Sequence, residues 1–344
     1  MQCALYKLLE ILFFLRYNIK VTADLTVCGC CRIFWPSCNL RQNLSVLTLA
    51  DHIIGYFNEV IIMNAQGFDP RQIMHRDTFE VFHYREPRPD GVEVHHHDFY
   101  EVYYLLGGQV DYWVDGRIIH MEPGDILLIN PQELHRPLIG PETRVYERIV
   151  LWINTSYLEQ LTEPFGELSQ CFGQTLPNRI CPADVERTGL KNRIHELVRE
   201  FYSQDFGSKL SAQGLFLQLM VQLNRMALRT EVPQKEENQL SKLVQSTMDY
   251  IRDNIQKPLS LEEIAGYLYV SKYHLSHAFS REVGVSVYRY IMLRRLLLAR
   301  QQLLTGQSAG QVSLNCGFSD YASFYRAFKA EYGVSPRQYV AQEL

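Results

Sequence analysis

The sequence predicts an α+β multidomain chain, in which an antiparallel β-barrel is followed by a helical segment and then by an all-α module. Three observations carry this. Across residues 79–129, short alternating runs are separated by turn dipeptides such as Asp115-Gly116 and Pro123-Gly124, the pattern of half-buried strands. From Pro182 onwards, apolar residues recur at helical spacing instead. After Ser241, a helix, a tight turn and a second helix occur twice.

Taken in order, residues 1–62 are rich in aliphatic and aromatic side chains and hold five of the eight cysteines: Cys3, Cys28, Cys30, Cys31 and Cys38. The apolar run at 8–15 is interrupted by Glu10 and followed by Arg16, too short to span a bilayer. No convincing small-residue cleavage site follows, which argues against a signal peptide. The cysteine spacing lacks paired C-x2-C knuckles, which argues against zinc. This segment reads as an atypical Cys-rich extension, with Met63 as an alternative start of translation.

Residues 63–180 then read as the barrel. Phe79-Glu80-Val81-Phe82-His83-Tyr84 alternates before a Pro- and Gly-bearing loop. Runs at 100–106, 110–114, 117–121 and 126–129 follow, and Asp115-Gly116 between two of them is a strong hairpin signal. Asn154-Thr155-Ser156 can cap a helix beginning near Tyr157. Residues 181–229 form the helical segment. One stripe is Ile194, Leu197, Val198 and Phe201; another is Leu215, Leu219, Leu223 and Met226, with Phe216 and Met220 beside it. Residues 230–240 are polar and Pro-bearing, as a linker would be.

Residues 241–344 hold the duplicated unit. Ser260 starts a short helix with Glu263 three residues on, a capping box. A turn at Tyr269-Val270 precedes Ser271, which caps the next helix, and Gly284 ends it. The run 285–304, with Arg289, Arg294, Arg295 and Arg300, joins this unit to a second one. There Ser319 is the expected N-cap and Asp320 favours the positive end of the dipole. Phe324 and Phe328 stack on one face, Gly333 stops the helix, and Ser335-Pro336 can start another.

The signature Gly317-Phe318-Ser319-Asp320, Phe324, Phe328-Lys329 and Gly333-Val334-Ser335-Pro336 resembles the DNA-binding domain of the AraC/XylS family of bacterial transcription regulators. The resemblance covers about 100 residues. It implies two helix-turn-helix units on one rigid helix, reading successive major grooves. Base contacts are then expected from Tyr273, Ser276 and His277, and from Tyr321, Ala322, Ser323 and Arg326. Ser271, Lys272, Ser319 and Lys329 complete the expected DNA-facing set. The chain departs from the family at Val312 and Ser313, where Ile and Ala are usual, and Gly310 costs its helix up to about 1 kcal/mol relative to Ala.

A second resemblance lies in the barrel. His95, His97 and Glu101, then Gly108, Pro123-Gly124-Asp125 and His135, are similar to the cupin pattern. In metal-dependent cupins the positions of His95, His97, Glu101 and His135 hold a divalent metal, and three imidazoles with a carboxylate suit Fe, Mn, Ni or Zn. Glu133 departs from that pattern, which has Gly there. The same residues in AraC-like sensors bind an effector without metal, and histidines of the rim or the core are the third possibility. Tyr103 and Trp113 join His95, His97, Glu101 and His135 as the expected effector pocket, with Tyr112 and Arg117 near it. Arg136 could hold a carboxylate or phosphate or simply be a surface charge.

The formal charge of −4 is uneven. Residues 241–344 contain 12 Lys and Arg against 8 Asp and Glu, leaving 22 against 30 in the remainder. A basic module on an acidic body fits phosphate contacts confined to one end. The expected whole is therefore a cytoplasmic, homodimeric transcriptional regulator. It would take promoter DNA, a small-molecule effector such as a sugar, and RNA polymerase as partners, with no cofactor, catalytic residue or membrane. The alternative is a metal-dependent cupin isomerase or dioxygenase with a helical appendage.

Overall fold

A computed structural model describes residues 72–89, 91–162, 166–173, 179–228 and 238–343. The expectations for residues 1–62, including the cysteine cluster and the Met63 start, fall outside these residues, as does most of the linker. Among the described residues seven strands come first: Phe79–Pro87 (β1), Tyr100–Gly107 (β2), Val110–Val114 (β3), Arg117–Met121 (β4), Ile126–Ile129 (β5), His135–Ile139 (β6) and Val145–Ile153 (β7). Helix Thr155–Thr162 (α1), strand Arg179–Ile180 (β8) and helices Pro182–Arg187 (α2), Leu190–Tyr202 (α3) and Ser208–Ala227 (α4) follow. Strand Asn238–Gln239 (β9) leads into Lys242–Asn254 (α5), Leu261–Tyr267 (α6), Lys272–Val283 (α7), Val287–Leu304 (α8), Ala309–Asn315 (α9), Tyr321–Tyr332 (α10) and Pro336–Glu343 (α11).

The ladders define two packed antiparallel sheets, in the orders β1-β7-β2-β5-β8 and β6-β3-β4-β9. Asp115 and Gly116 both take positive φ, 45° and 93°, as the two-residue turn between β3 and β4 requires. Strand alternation then distributes side chains to different layers. Tyr103, Leu105, Tyr112, Val114, Tyr146 and Val150 fill the space between the sheets. Val102, Tyr104, Ile149 and Leu151 point the other way, under Ile194, Leu197, Phe216, Leu219 and Leu223 of α3 and α4. The expected helical stripes are thus used to cover the outer face of the five-stranded sheet.

The four-stranded sheet is covered by the C-terminal module. Val94, Trp113 and Leu134 share one apolar cluster with Val244, Met248, Ile251, Leu275, Phe279 and Leu293 of α5, α7 and α8. The end of the linker is also part of the sheet: Gln239 pairs with Arg117, and Asn238 with Ile118. All described residues belong to one compact unit, Val60–Leu344. The second helix-turn-helix has a core of its own, built from Leu296, Leu303, Val312, Phe318, Phe324 and Phe328.

Candidate functional site

The first recognition helix, α7, begins where Ser271 accepts a hydrogen bond from the His274 amide, and ends at Gly284 with φ 89°. Leu275, Ala278 and Phe279 are buried, whereas Lys272, Tyr273 and His277 are exposed and Ser276 is half-buried. Upstream, Ser260 accepts from the Glu263 amide. The Glu263 carboxylate takes the Tyr250 hydroxyl at 2.9 Å, so the expected capping box is seen on one side only. Tyr269 has φ 55°, an uncommon conformation for a non-glycine residue, and it makes the tight turn between α6 and α7.

In the second unit the cap is Asp320, not Ser319. The Asp320 carboxylate accepts from the Ser323 amide at 2.7 Å and from the hydroxyls of Ser319 and Ser323. A carboxylate is the stronger acceptor for an N-terminal amide, because its charge also interacts favourably with the helix dipole. Phe324 and Phe328 are fully buried. Tyr321, Ala322, Arg326 and Lys329 are exposed and Ser323 is half-buried. Gly310 leaves α9 intact and has open space around it.

The four arginines of the joining helix are engaged inside the molecule. Arg294 Nη2 donates to Asp115 at 2.7 Å, and Arg289 pairs with Glu331 at 2.9 Å. Arg295 donates to the carbonyls of Ile255 and Lys257, and Arg300 to the Tyr339 hydroxyl at 2.7 Å. Lys272 pairs with Glu262 at 2.9 Å. The formal positive balance of the module therefore overstates the charge that this surface offers to phosphate.

The sheet domain brings His97, Glu101 and His135 together, all buried, with their ligand atoms within 4.8 Å of one another. The segment before β2 is irregular and is joined to β6 by a bridge between His95 and His135. Each of the three histidines has its Nδ1 hydrogen-bonded to a backbone carbonyl: His95 to Glu93 at 2.8 Å, His97 to Phe99 at 2.8 Å and His135 to Glu133 at 2.9 Å. A carbonyl only accepts, so each Nδ1 carries the proton and directs Nε2 elsewhere. His97 Nε2 lies 2.8 Å from Glu101 Oε2, and at that distance one proton must lie between them. His135 Nε2 is 3.8 Å from the same oxygen and has no hydrogen-bond partner among the described residues.

Burial pushes His95 down to about 4 and drives His135 well below the ordinary imidazole range. Both are therefore neutral at physiological pH. A carbonyl that holds Nδ1 and turns the Nε2 lone pair into the site is the arrangement found around metal-ligating histidines, and His135 shows it. His97, Glu101 and His135 fit a divalent ion, and they equally fit the hydroxyl donors of a polar effector. Glu133, the departure from the cupin pattern, folds back to accept from the Asn130 amide at 2.9 Å. It closes the turn before β6.

Other expected pocket residues divide. The Tyr103 hydroxyl bonds Tyr146 at 2.7 Å, and its ring meets Tyr112 at 5.0 Å. The Tyr112 ring lies 6.2 Å from His135, so these three tyrosines wall the site. Tyr146, on a strand whose alternation gave no prior signal, was not foreseen. Trp113 is not in the pocket: it is fully buried on the opposite face of β3, in the cluster shared with the helical module. Arg117 lies on β4, 3.7 Å from Glu133. Arg136 is half-buried and reaches the end of α7, 3.4 Å from the Glu282 carbonyl.

A model described as an AraC-like ligand binding domain matches residues 79–220. A helix-turn-helix domain model matches residues 264–342, and the two together cover more than half of the chain. The chain belongs to the AraC family. It is 26% identical over 237 residues to an uncharacterized HTH-type transcriptional regulator of Staphylococcus aureus (strain COL), covering 69% of this chain but only 30% of that relative. It is 26% identical over 178 residues to a protein named as a probable transcriptional regulator, LumQ, of Photobacterium leiognathi, covering 50% of this chain and 71% of that one. A crystal structure of a transcriptional regulator with an AraC-type DNA-binding domain from Chromobacterium violaceum is 33% identical. It covers 29% of this chain and 90% of that one, with a TM-score of 0.28. Among the described residues, no helix is long and apolar enough to cross a membrane.

Proposed function

We propose that this AraC-family chain is a transcription regulator that reads promoter DNA through α7 and α10 and is controlled by a small molecule held between its two sheets. The observation that carries this is the matched presentation of two recognition helices. Each is capped by a side chain, anchored by buried apolar residues and exposed along a polar outer face. Two such helices on one connecting helix suit successive major-groove segments. Tyr273, Ser276 and His277 in one unit, and Tyr321, Ala322, Ser323 and Arg326 in the other, would contact bases. Ser271, Lys272, Ser319 and Lys329 would lie at the phosphates. Catalysis forms no part of the proposal.

The effector site would be His97, Glu101 and His135 with Tyr103, Tyr112 and Tyr146. The His135 Nε2 and the Glu101 carboxylate are acceptors that suit the hydroxyls of a sugar-like metabolite. The specific observation in favour of a metal instead is the unpartnered His135 Nε2. A bound divalent ion would supply a fixed positive charge there. Equilibrium dialysis against zinc or manganese, comparing the wild-type chain with His135→Ala, separates the two. One ion per chain, lost in the variant, would establish the metal.

The working division is 63–180 for the sensor, 181–229 for an assembly segment and 241–344 for the DNA reader, in a cytoplasmic homodimer that engages RNA polymerase. The outer face of α4 supports assembly: Leu210 and Val221 are exposed along it and Leu228 just beyond its end. The test of the whole proposal is selection of random duplex DNA by the full-length chain at two salt concentrations, with sequencing of the bound fraction. An enriched motif of two short segments roughly 34 Å apart is expected. Salt-sensitive binding with no motif would refute it.

A further inference from the structure

The sensor site and the first reading unit are joined by three consecutive residues, Leu134, His135 and Arg136. His135 and Arg136 are the first two residues of β6, so alternation sends their side chains to opposite sides. His135 faces Glu101 and the two other histidines. Arg136 passes outward to the C-terminal end of α7, where its guanidinium lies 3.4 Å from the Glu282 carbonyl. It fills the space beside Gly284 so closely that a Cβ there would run into it. A cation at this position also interacts favourably with the negative end of the α7 dipole.

Leu134 makes the second connection. Its amide donates to Asp115 Oδ1 at 2.9 Å, and its carbonyl accepts from the Asp115 amide at 2.9 Å. The same Asp115 carboxylate receives Arg294 of α8 at 2.7 and 3.4 Å. The turn carrying Asp115 is held from another side as well, because the Cβ position of Gly116 is 3.2 Å from Met248 of α5. Any displacement of the His135 backbone on one side of the sheet therefore reaches α7 through Arg136 and α8 through Asp115.

The geometry points to Arg136 and Asp115 as positioning residues that transmit the state of the His97–Glu101–His135 site to the first helix-turn-helix unit. This rests on the proposed function but fails separately from it. The connection is short, packed and polar at both contacts, and both recognition helices hang from the helix that Arg294 anchors. A ligand that binds the two arrangements of this segment unequally would shift the orientation of α7, and only that difference in affinity can do so.

The test is a mutant cycle in the full-length chain, read by operator affinity in fluorescence anisotropy. His135→Ala perturbs the site without touching either connection. In the wild-type background it should change operator affinity by about fivefold or more. In a background carrying Arg136→Met and Asp115→Asn, the same change should fall below about twofold. Methionine keeps the aliphatic stem of Arg136 in place. His135→Gln replaces His135→Ala if thermal melts show that the alanine variant does not fold.

Amide hydrogen exchange across α7 and α8 gives a second reading that needs no DNA. His135→Ala should accelerate it in the wild-type background and add nothing in the doubly substituted one. Equal effects of His135→Ala in the two backgrounds, or no effect in either, overturn the inference. A chain that selects no motif but shows the exchange pattern would leave the connection standing and sink the proposed function instead.

Discussion

At the scale of the residue, small differences in position decide roles that residue type leaves open. Ser319 and Asp320 are both good caps, yet the Asp320 carboxylate takes the Ser323 amide. Asp320→Ala should cost about 1 kcal/mol of stability, seen as a lower melting temperature, while Ser319→Ala should cost a few tenths or less. Arg326 is exposed, with a long contact to the Ser323 hydroxyl at 3.5 Å. Arg326→Ala should weaken operator binding by about 1–3 kcal/mol and relax preference at one base pair. A uniform loss over all sequences would place it on the phosphates instead. The neighbours Tyr112 and Trp113 are both buried, one beside the site and one under the helices. Alternation shows that they face apart, but only the surrounding layers show which face is the pocket.

At the scale of the element, helices were legible wherever their caps and stripes are local. Ser260, Ser271 and Gly284 stand at the ends that their chemistry favours. Strands β7 and β8 and the pairing of β9 were not legible. β7 is buried on both faces over much of its length, so it lacks the alternation that marks a half-buried strand. The exposed apolar side chains of α4 lead to a prediction at this scale. Leu210→Glu with Val221→Glu should convert a dimer to a monomer in light scattering without lowering the melting temperature, since both side chains are exposed in the single chain. A monomeric wild-type chain would remove this face from consideration.

At the scale of the whole molecule, the sensor and the reader share a core. Leu134, Trp113 and Val94 complete the cluster formed by α5, α7 and α8. Removing that cover exposes apolar surface at roughly 25 cal/mol per Å². Residues 241–344 alone should therefore melt at a lower temperature than the full chain. Trp113→Ala should cost about 3–5 kcal/mol and affect the reader as much as the sensor, which calorimetry would show as a single, lowered transition.

The pH dependence of stability also belongs to the whole molecule. His95 has a folded value of about 4 against an ordinary 6.5, because burial disfavours its charged form. Between those values the unfolded chain binds more protons, so stability rises with pH through this window and is lost as pH falls from about 6.5 towards 4. The loss from His95 reaches about 3 kcal/mol at most, and His135 adds to it in the same direction. Urea denaturation at pH 7 and pH 4.5 measures this, and equal midpoints would contradict the buried, neutral imidazoles.

By itself the sequence determined the order of strand-rich, helical and duplicated helix-turn-helix regions, and it located α7 and α10 and most of the residues that gather around His135. These rest on periodicity, caps and turns, whose physics acts over a few residues. Tertiary structure alone decided how the strands are ordered in two sheets, and that Trp113 and Arg136 pack against the helices of the C-terminal module rather than beside His97, Glu101 and His135. It also decided that the arginines of α8 hold the molecule together, with Arg294 on Asp115 and Arg300 on Tyr339. Those partners are 179 and 39 residues away along the chain. Which charge meets which carboxylate is settled only when separate layers pack and desolvate the pair.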